Sequence, residues 1–306
     1  MRVVVSYIGP DMDGTSCMFA YSELLNKLGI KSNYFIWGTP KKEVGIVCDL
    51  FNIKLGGLTQ LKSEYDYIAV DLNGLDQMHE IVTVNNLIEI IDHHSVSKYV
   101  PTYVNAKIQI EQVGAAASLV AEKFKENNIK PSRDAAILLY YGIISNSINL
   151  KAHTTTDKDI EMTEWLKKQC DEISEEKIKE IFEAKSKIED KDLRTEMECE
   201  IPLVVDDKGI IVAQLEVANL EEFLIDKKEK VVNVLSHVKE EKNPDYIYIN
   251  CVDILNGYTI VIGCDDDSNR MVEDVFGISM TNGIGKVDDI IQRKEMTRKL
   301  REVKKW

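Results

Sequence analysis

The chain has 306 residues, a length that at about 150 residues per domain fits two domains, and 44% of it is apolar, enough for a core in each. Lys and Arg number 38 against 52 Asp and Glu, a net charge of −14, and so acidic a body repels a phosphate backbone, so nucleic acid is not expected as a partner. No stretch approaches the roughly 18 consecutive apolar residues of a membrane span, and the N-terminus enters a strand pattern without a signal-type segment. Six cysteines (Cys17, Cys48, Cys170, Cys199, Cys251, Cys264) lie scattered without a CxxC and read as reduced, mostly buried thiols of a cytoplasmic protein. Membrane, secreted and zinc-finger classes are set aside.

In chain order, Val3 to Tyr7 reads as a buried strand that ends at the turn Gly9-Pro10-Asp11. Met18, Tyr21, Leu24, Leu25 and Leu28 recur at helical spacing over Thr15 to Leu28, and Gly29 stops the helix. Ser32 to Trp37, Tyr67 to Val70 and Leu87 to Ile91 are further strands. Ala115 to Asn127, Ser132 to Ile144 and Thr156 to Lys168 are helices, the last capped by Asp157 or a neighbouring Thr. Strands alternating with helices predict a mainly parallel sheet with helices on both faces. The charged stretch from Cys170 to Arg194 has helical spacing but few apolar residues and is read as a linker. Beyond it come strands at Ile210 to Ala213, Tyr246 to Ile249 and Tyr258 to Ile262, with a helix from Leu220 to His237. The expected architecture is α/β: a doubly wound, mainly parallel N-terminal domain over 1–185 and a smaller α/β domain over 195–306. The active site is expected in the cleft between them. No internal repeat is visible.

Asp11-Met12-Asp13 follows the first strand, Asp71 closes the third in Val70-Asp71-Leu72-Asn73, and Asp92-His93-His94 closes the fourth. Singly, each fits a solvated turn or a helix cap. Together they would meet at one edge of a parallel sheet, where ligands bind. Carboxylates plus imidazole suit Mn²⁺, Fe²⁺, Co²⁺ or Zn²⁺. Such clusters can hold two ions about 3.5–4 Å apart and hydrolyse phosphate bonds.

These motifs resemble the DHH phosphoesterase superfamily and, within it, the family II, manganese-dependent inorganic pyrophosphatases. Glu111-Gln112-Val113-Gly114-Ala115 is similar to that branch's Glu-x-Val-Gly helix entry, and Ile143 to Ser147 with Thr154 to Asp159 resembles its fourth motif. Val212 to Val217, Val252 to Leu255 and Gln292-Arg293-Lys294-Glu295 resemble its substrate-gripping C-terminal domain. The resemblance implies hydrolysis of pyrophosphate to two phosphates by a metal-bound hydroxide, with manganese (or magnesium or cobalt) as one or two divalent ions. It implies Asp11, Asp13, Asp71, His93 and Asn146 around the metal, with Asp71 bridging. His94, Arg293 and Lys294 would act on the substrate, and Lys191 would stand near a third basic position. Arg and Lys there would neutralise phosphate oxygens. On its own, the Arg293-Lys294 pair also reads as the start of a solvated basic helix, since Arg298, Lys299, Arg301, Lys304 and Lys305 follow. A homodimer through an edge strand of the N-terminal sheet is implied too.

Two departures bear on the ligand set. Tyr7 stands where the resemblance implies a ligand His, and Asn146 where it implies an Asp; Leu72 also replaces a His beside Asp71. A phenol is a poor ligand at neutral pH, and an amide brings no charge. The altered site leaves two alternatives: a phosphoesterase acting on polyphosphate or a nucleotide, or a phosphate- or nucleotide-binding homologue without turnover. His79 and His237 are read as surface residues on helices, His153 as a replacement ligand or a bystander, and Asp265-Asp266-Asp267 as a solvated loop.

Overall fold

The computed structural model describes residues 1–197, 203–205 and 208–303, so Cys199, Lys304 and Lys305 lie outside the described residues. The chain forms two compact units, Met1–Ile181 and Phe182–Trp306. The first runs β1 (Arg2–Val5), α1 (Met12–Lys27), β2 (Ser32–Phe35), α2 (Lys42–Phe51), β3 (Asp66–Val70), β4 (Leu87–Asp92), β5 (Lys107–Ile110), α3 (Ala116–Glu126), α4 (Arg133–Asn146) and α5 (Asp157–Lys167). Helix α6 (Glu175–Lys185) crosses the division. The second unit continues with α7 (Leu193–Glu196), β6 (Leu203–Val205), β7 (Lys208–Val217), α8 (Leu220–Lys242), β8 (Tyr246–Asp253), β9 (Tyr258–Gly263), α9 (Asp266–Phe276), β10 (Ile284–Val287) and α10 (Arg293–Glu302).

The first sheet has the order β2-β1-β3-β4-β5, and every pairing is parallel. The β-branched run Val3-Val4-Val5 takes the second position, where both faces are buried, and all three valines are inaccessible or nearly so. Alternation sends Val3, Val5, Tyr67 and Ala69 to one face, packed with Leu61, Met78, Val82 and Tyr103 from the connecting segments. Because β2 and β3 flank β1 on opposite sides, the winding reverses there. The carboxyl ends of β1 and β3 therefore border the crevice of an open α/β sheet.

Helix α1 packs against α3 and α4. The approach to α4 depends on Gly142, where a Cβ would lie 2.5 Å from Ser16 Oγ and 3.2 Å from the Ala117 Cβ.

The second sheet, β10-β9-β8-β7-β6, is mixed: β7 and β8 are parallel and the other pairs antiparallel. One face carries Ile211, Ala213, Leu215, Ile249 and Cys251 against Val231, Leu235 and Val238 of α8. The other carries Ile210, Val212, Tyr248 and Val261 against Met271 and Val272 of α9 and Met296 and Leu300 of α10.

Three sequence readings change. The stretch from Cys170 to Arg194 is folded: Ile178, Ile181 and Phe182 form a narrow buried stripe on α6, and Ile188 and Leu193 join the core of the second unit. Asp265-Asp266-Asp267 is a helix start. Asp265 caps α9 by accepting from Ser268 N at 2.9 Å, and the other two sit in the first turn, where the helix dipole favours anions. His79 lies outside any helix, half-buried against Phe35 and Trp37, whereas His237 is an exposed residue of α8.

Gly142→Val is expected to push α4 off α1 and cost about 2 kcal/mol. Urea unfolding checks this through a lower midpoint at unchanged slope.

Candidate metal centre

The segments that follow β1, β3 and β4 each deliver a carboxylate or an imidazole to the crevice edge of the first sheet. Asp11 is the N-cap of α1, its Oδ1 accepting from Gly14 N at 3.0 Å. One turn on, Asp13 is buried, and its two oxygens accept from Ala116 N (2.8 Å) and Ala117 N (2.7 Å). Those amides open α3, whose own N-cap, Ala115, has no side chain that could cap it. Asp13 thus caps a helix remote in sequence and lies at the positive ends of both α1 and α3.

Asp71 follows β3 with φ +59°, a left-handed conformation that Asp and Asn tolerate better than most residues. Its amide donates to Ile91 O at 2.9 Å. The carboxylate is buried, and Oδ1 has no hydrogen-bond partner, a rare state for a buried oxygen. Gly14 makes room for it, since a Cβ there would meet Ser6 Oγ at 2.7 Å and Asp71 Oδ2 at 3.2 Å.

His93 and His94 follow β4. The His93 Nδ1 lies 3.0 Å from the carbonyl of Val113, which accepts its proton and leaves the Nε2 lone pair pointing inward. That Nε2 is 3.3 Å from Asp71 Oδ1 and 3.7 Å from Asp13 Oδ2. His94 is 57% exposed, and its Nδ1 is bound to Asp92 Oδ1 at 2.8 Å. Asp92 is buried and also accepts from Asn73 Nδ2 and from the His93 amide. Asp71, His93 and His94 each offer a ligand atom within 4.8 Å of one another.

The electrostatics show what the cluster lacks. Burial and, secondarily, the charge of Asp11 push the Asp13 carboxyl up to about 6 against the pull of His93. Burial and the charges of Asp13 and Asp11 hold Asp71 well above the ordinary carboxylate range. Burial would also raise Asp92, but the hydrogen bonds from His94 and Asn73 outweigh it and hold this carboxyl low. For His94, burial opposes the charged ring, and the bond to Asp92 and the charge of Asp71 overcome it. Tyr7 is raised by burial and then by Asp11 and Asp71, so its phenol stays protonated, with its oxygen 3.3 Å from the Asp11 amide. Crowded carboxylates, an orphaned oxygen and an inward imidazole lone pair fit a divalent cation.

Asn146, at the end of α4, turns its Nδ2 toward Asp13 Oδ2 (3.1 Å), His93 Nε2 (3.3 Å) and Gly114 O (3.0 Å). Asp11, Asp13, Asp71, His93, His94 and Asn146 thus gather at one edge of the first unit. His153 lies in the turn after α4, outside the cluster of Asp71, His93 and His94. In the second unit, Arg293 and Lys294 open α10, Arg293 half-buried with its amide 2.5 Å from Gln214 Oε1. Lys191 pairs with Glu189 at 2.9 Å on the surface.

Sequence reading named Asp92 at its strand end but gave no role to it, to Asn73 or to Asp159. Asp159 is inaccessible and accepts from Gly114 N (2.8 Å), Ser118 Oγ (2.5 Å) and both Thr156 N and Oγ1 (2.7 Å each). It fixes the loop whose carbonyls meet His93 and Asn146. The signal for Asp92 was its adjacency to His-His, because a working imidazole is commonly oriented by a carboxylate.

The first unit is therefore a doubly wound α/β domain with a cluster of carboxylates and imidazoles at its switch point. Residues 2–143 match the DHH family, N-terminal domain. Over 294 residues the chain is 27% identical to a probable manganese-dependent inorganic pyrophosphatase of Clostridium acetobutylicum, covering 95% of this chain and 94% of that one. It is 24% identical over 299 residues to the manganese-dependent inorganic pyrophosphatase of Bacillus subtilis, covering 96% and 95%. A solved structure of a putative family II inorganic pyrophosphatase from Methanococcus jannaschii superposes with a TM-score of 0.73 at 23% identity, covering 99% of both chains, and shares the fold.

In metal-free protein at pH 7, Asp71→Asn is expected to raise the unfolding temperature by removing a crowded charge at a φ that Asn accepts. A carboxyl raised in the folded state destabilises above its folded pKa and costs nothing below its unfolded value near ~4. The gain should therefore vanish as pH falls to about 4, and added Mn²⁺ should reverse it by stabilising only the wild type.

Proposed function

We propose that this protein is a metal-dependent hydrolase of phosphoanhydride bonds, with inorganic pyrophosphate as substrate and two phosphates as products. One observation carries the reading: the orphaned Asp71 oxygen and the His93 lone pair converge with Asp13 at the switch point of the sheet. The names and near-complete coverage of the relatives support it. A divalent cation held there, manganese in this reading, would supply polarisation of phosphoryl oxygens and a water of lowered pKa.

The chain's own groups do the rest. Asp71 and His93 would hold the cation with Asp13, while Asp11 and Asn146 border it. His94, oriented by Asp92 and open on its far side, donates to a phosphoryl oxygen. Arg293 and Lys294, adjacent in the first turn of α10, would supply a guanidinium fork and an ammonium to the same substrate. Lys191 would assist as a further cation. The units divide the labour: residues up to about 185 hold metal, and residues from about 195 grip substrate.

No helix among the described residues is long and apolar enough to cross a membrane. The described cysteines are free, in keeping with work in a reducing cytoplasm. The outer edge of β5, where Val104 and Ile108 are exposed, would accept a second copy as a homodimer.

The test is phosphate release by purified protein with Mn²⁺, Mg²⁺, Co²⁺ or chelator, from pyrophosphate, tripolyphosphate and a dinucleotide. Fast, chelator-sensitive release from pyrophosphate is expected, with Arg293→Ala slowing it at least 100-fold, the scale of losing one positioned donor in phosphoryl chemistry. Release only from tripolyphosphate or the dinucleotide would move the substrate. No release from any of them, with the fold intact, would replace the reading by phosphate binding without turnover.

A further inference from the structure

We infer that this chain holds one divalent cation, seated between Asp71 and His93 with Asp13 as the next donor, and that the Tyr7 hydroxyl fills the position a second ion would need. The inference rests on the proposed function only for the presence of a cation.

The first half follows from spacing. Two ligands each about 2.1 Å from one ion stand about 3.0 Å apart at an octahedral right angle and about 3.4 Å apart at a tetrahedral angle. Asp71 Oδ1 and His93 Nε2 are 3.3 Å apart, and Asp13 Oδ2 is 3.7 Å from the same nitrogen. Both donors have their partners arranged for this: the His93 Nδ1 is committed to Val113 O, and the Asp71 oxygen has no other bond. His94 is excluded from the seat, because its Nδ1 is committed to Asp92 at 2.8 Å.

The second half follows from two further groups near Asp71, namely Asp11 and Tyr7. Asp11 is engaged as the cap of α1 through Gly14 N. The Tyr7 oxygen lies against the Asp11 amide, and the charges of both Asp11 and Asp71 act on its hydroxyl. A second cation would need a further donor with a free lone pair at that point, beyond the Asp11 and Asp71 carboxylates. Tyr7 instead presents a neutral hydroxyl hydrogen-bonded at Asp11, so a hydrogen bond answers the charge there that an ion would otherwise answer.

Two readouts test this without an activity measurement. Manganese bound per chain is measured by equilibrium dialysis and elemental analysis, and electron paramagnetic resonance distinguishes an isolated Mn²⁺ from an exchange-coupled pair. Wild type is expected to bind one Mn²⁺ per chain with the six-line spectrum of an isolated ion. Asp11→Asn, which keeps a good helix cap, should still bind one, and Asp71→Asn should bind none. Tyr7→His should rise to two ions with a coupled spectrum. Two coupled ions in the wild type would overturn the inference, as would loss of the ion in Asp11→Asn or no second ion in folded Tyr7→His. Should Tyr7→His fail to fold, the wild-type count and spectrum decide alone. Phosphate release is scored separately: one ion without hydrolysis of any substrate refutes the proposed function and leaves this inference standing, whereas two coupled ions with hydrolysis do the reverse.

Discussion

The carboxylate of Asp13 is inaccessible to water, and the first unit is organised around what it needs. A buried anion is tolerated only when donors and opposite charge surround it. Here the donors are the opening amides of α3, the positive charge is the summed dipole of two helix starts, and the Asn146 amide adds a third contact. The strand order brings these together, because the reversal at β1 leaves a gap at its carboxyl end into which α1 and α3 both point. Even so, the donors fall short of the charge, and Asp71 alongside makes the deficit larger. That deficit, more than any single ligand, makes the edge a cation site.

Support for the imidazoles comes from farther away. Val113 O sets the tautomer of His93, and its loop is pinned through Gly114 to Asp159, which also caps α5 and holds Ser118. Asn73 and Asp92 do the same for His94. Such a chain of fully satisfied buried bonds holds ligand atoms in place before any cation arrives, so little reorganisation accompanies binding.

Much of this was legible in the sequence, for physical reasons. Val3 to Val5, Tyr67 to Val70 and Leu87 to Ile91 are buried on both sides and so read as continuous apolar runs, and α1, α3, α4 and α5 show helical spacing over three or more turns. The strand-end positions of Asp11, Asp71 and Asp92-His93-His94 followed directly. What escaped was short, peripheral or highly charged. The edge strands β5 and β10 have four residues each and one unpaired side, and α9 buries only a few side chains beneath a charged surface. The role of Asp159 rests on Gly114 and Ser118, far away in the chain, which no local pattern encodes. Asn146 was readable as an altered ligand, but that its nitrogen rather than its oxygen faces the site depends on Gly114 O.

The borrowed cap of α3 has a kinetic side. Helix starts are ordinarily completed by a residue next door, so a helix can form before its surroundings do. The cap of α3 comes from a residue 103 positions earlier, across four parallel strands that must already be in order. Its first turn therefore gains full stability only once β1, α1 and the sheet have docked, which ties a local event to long-range contacts and slows it accordingly. A nascent chain emerging N-terminus first has Asp13 available well before α3 is made, so synthesis from that end suits the arrangement, whereas a fragment beginning after α1 would carry α3 without its cap.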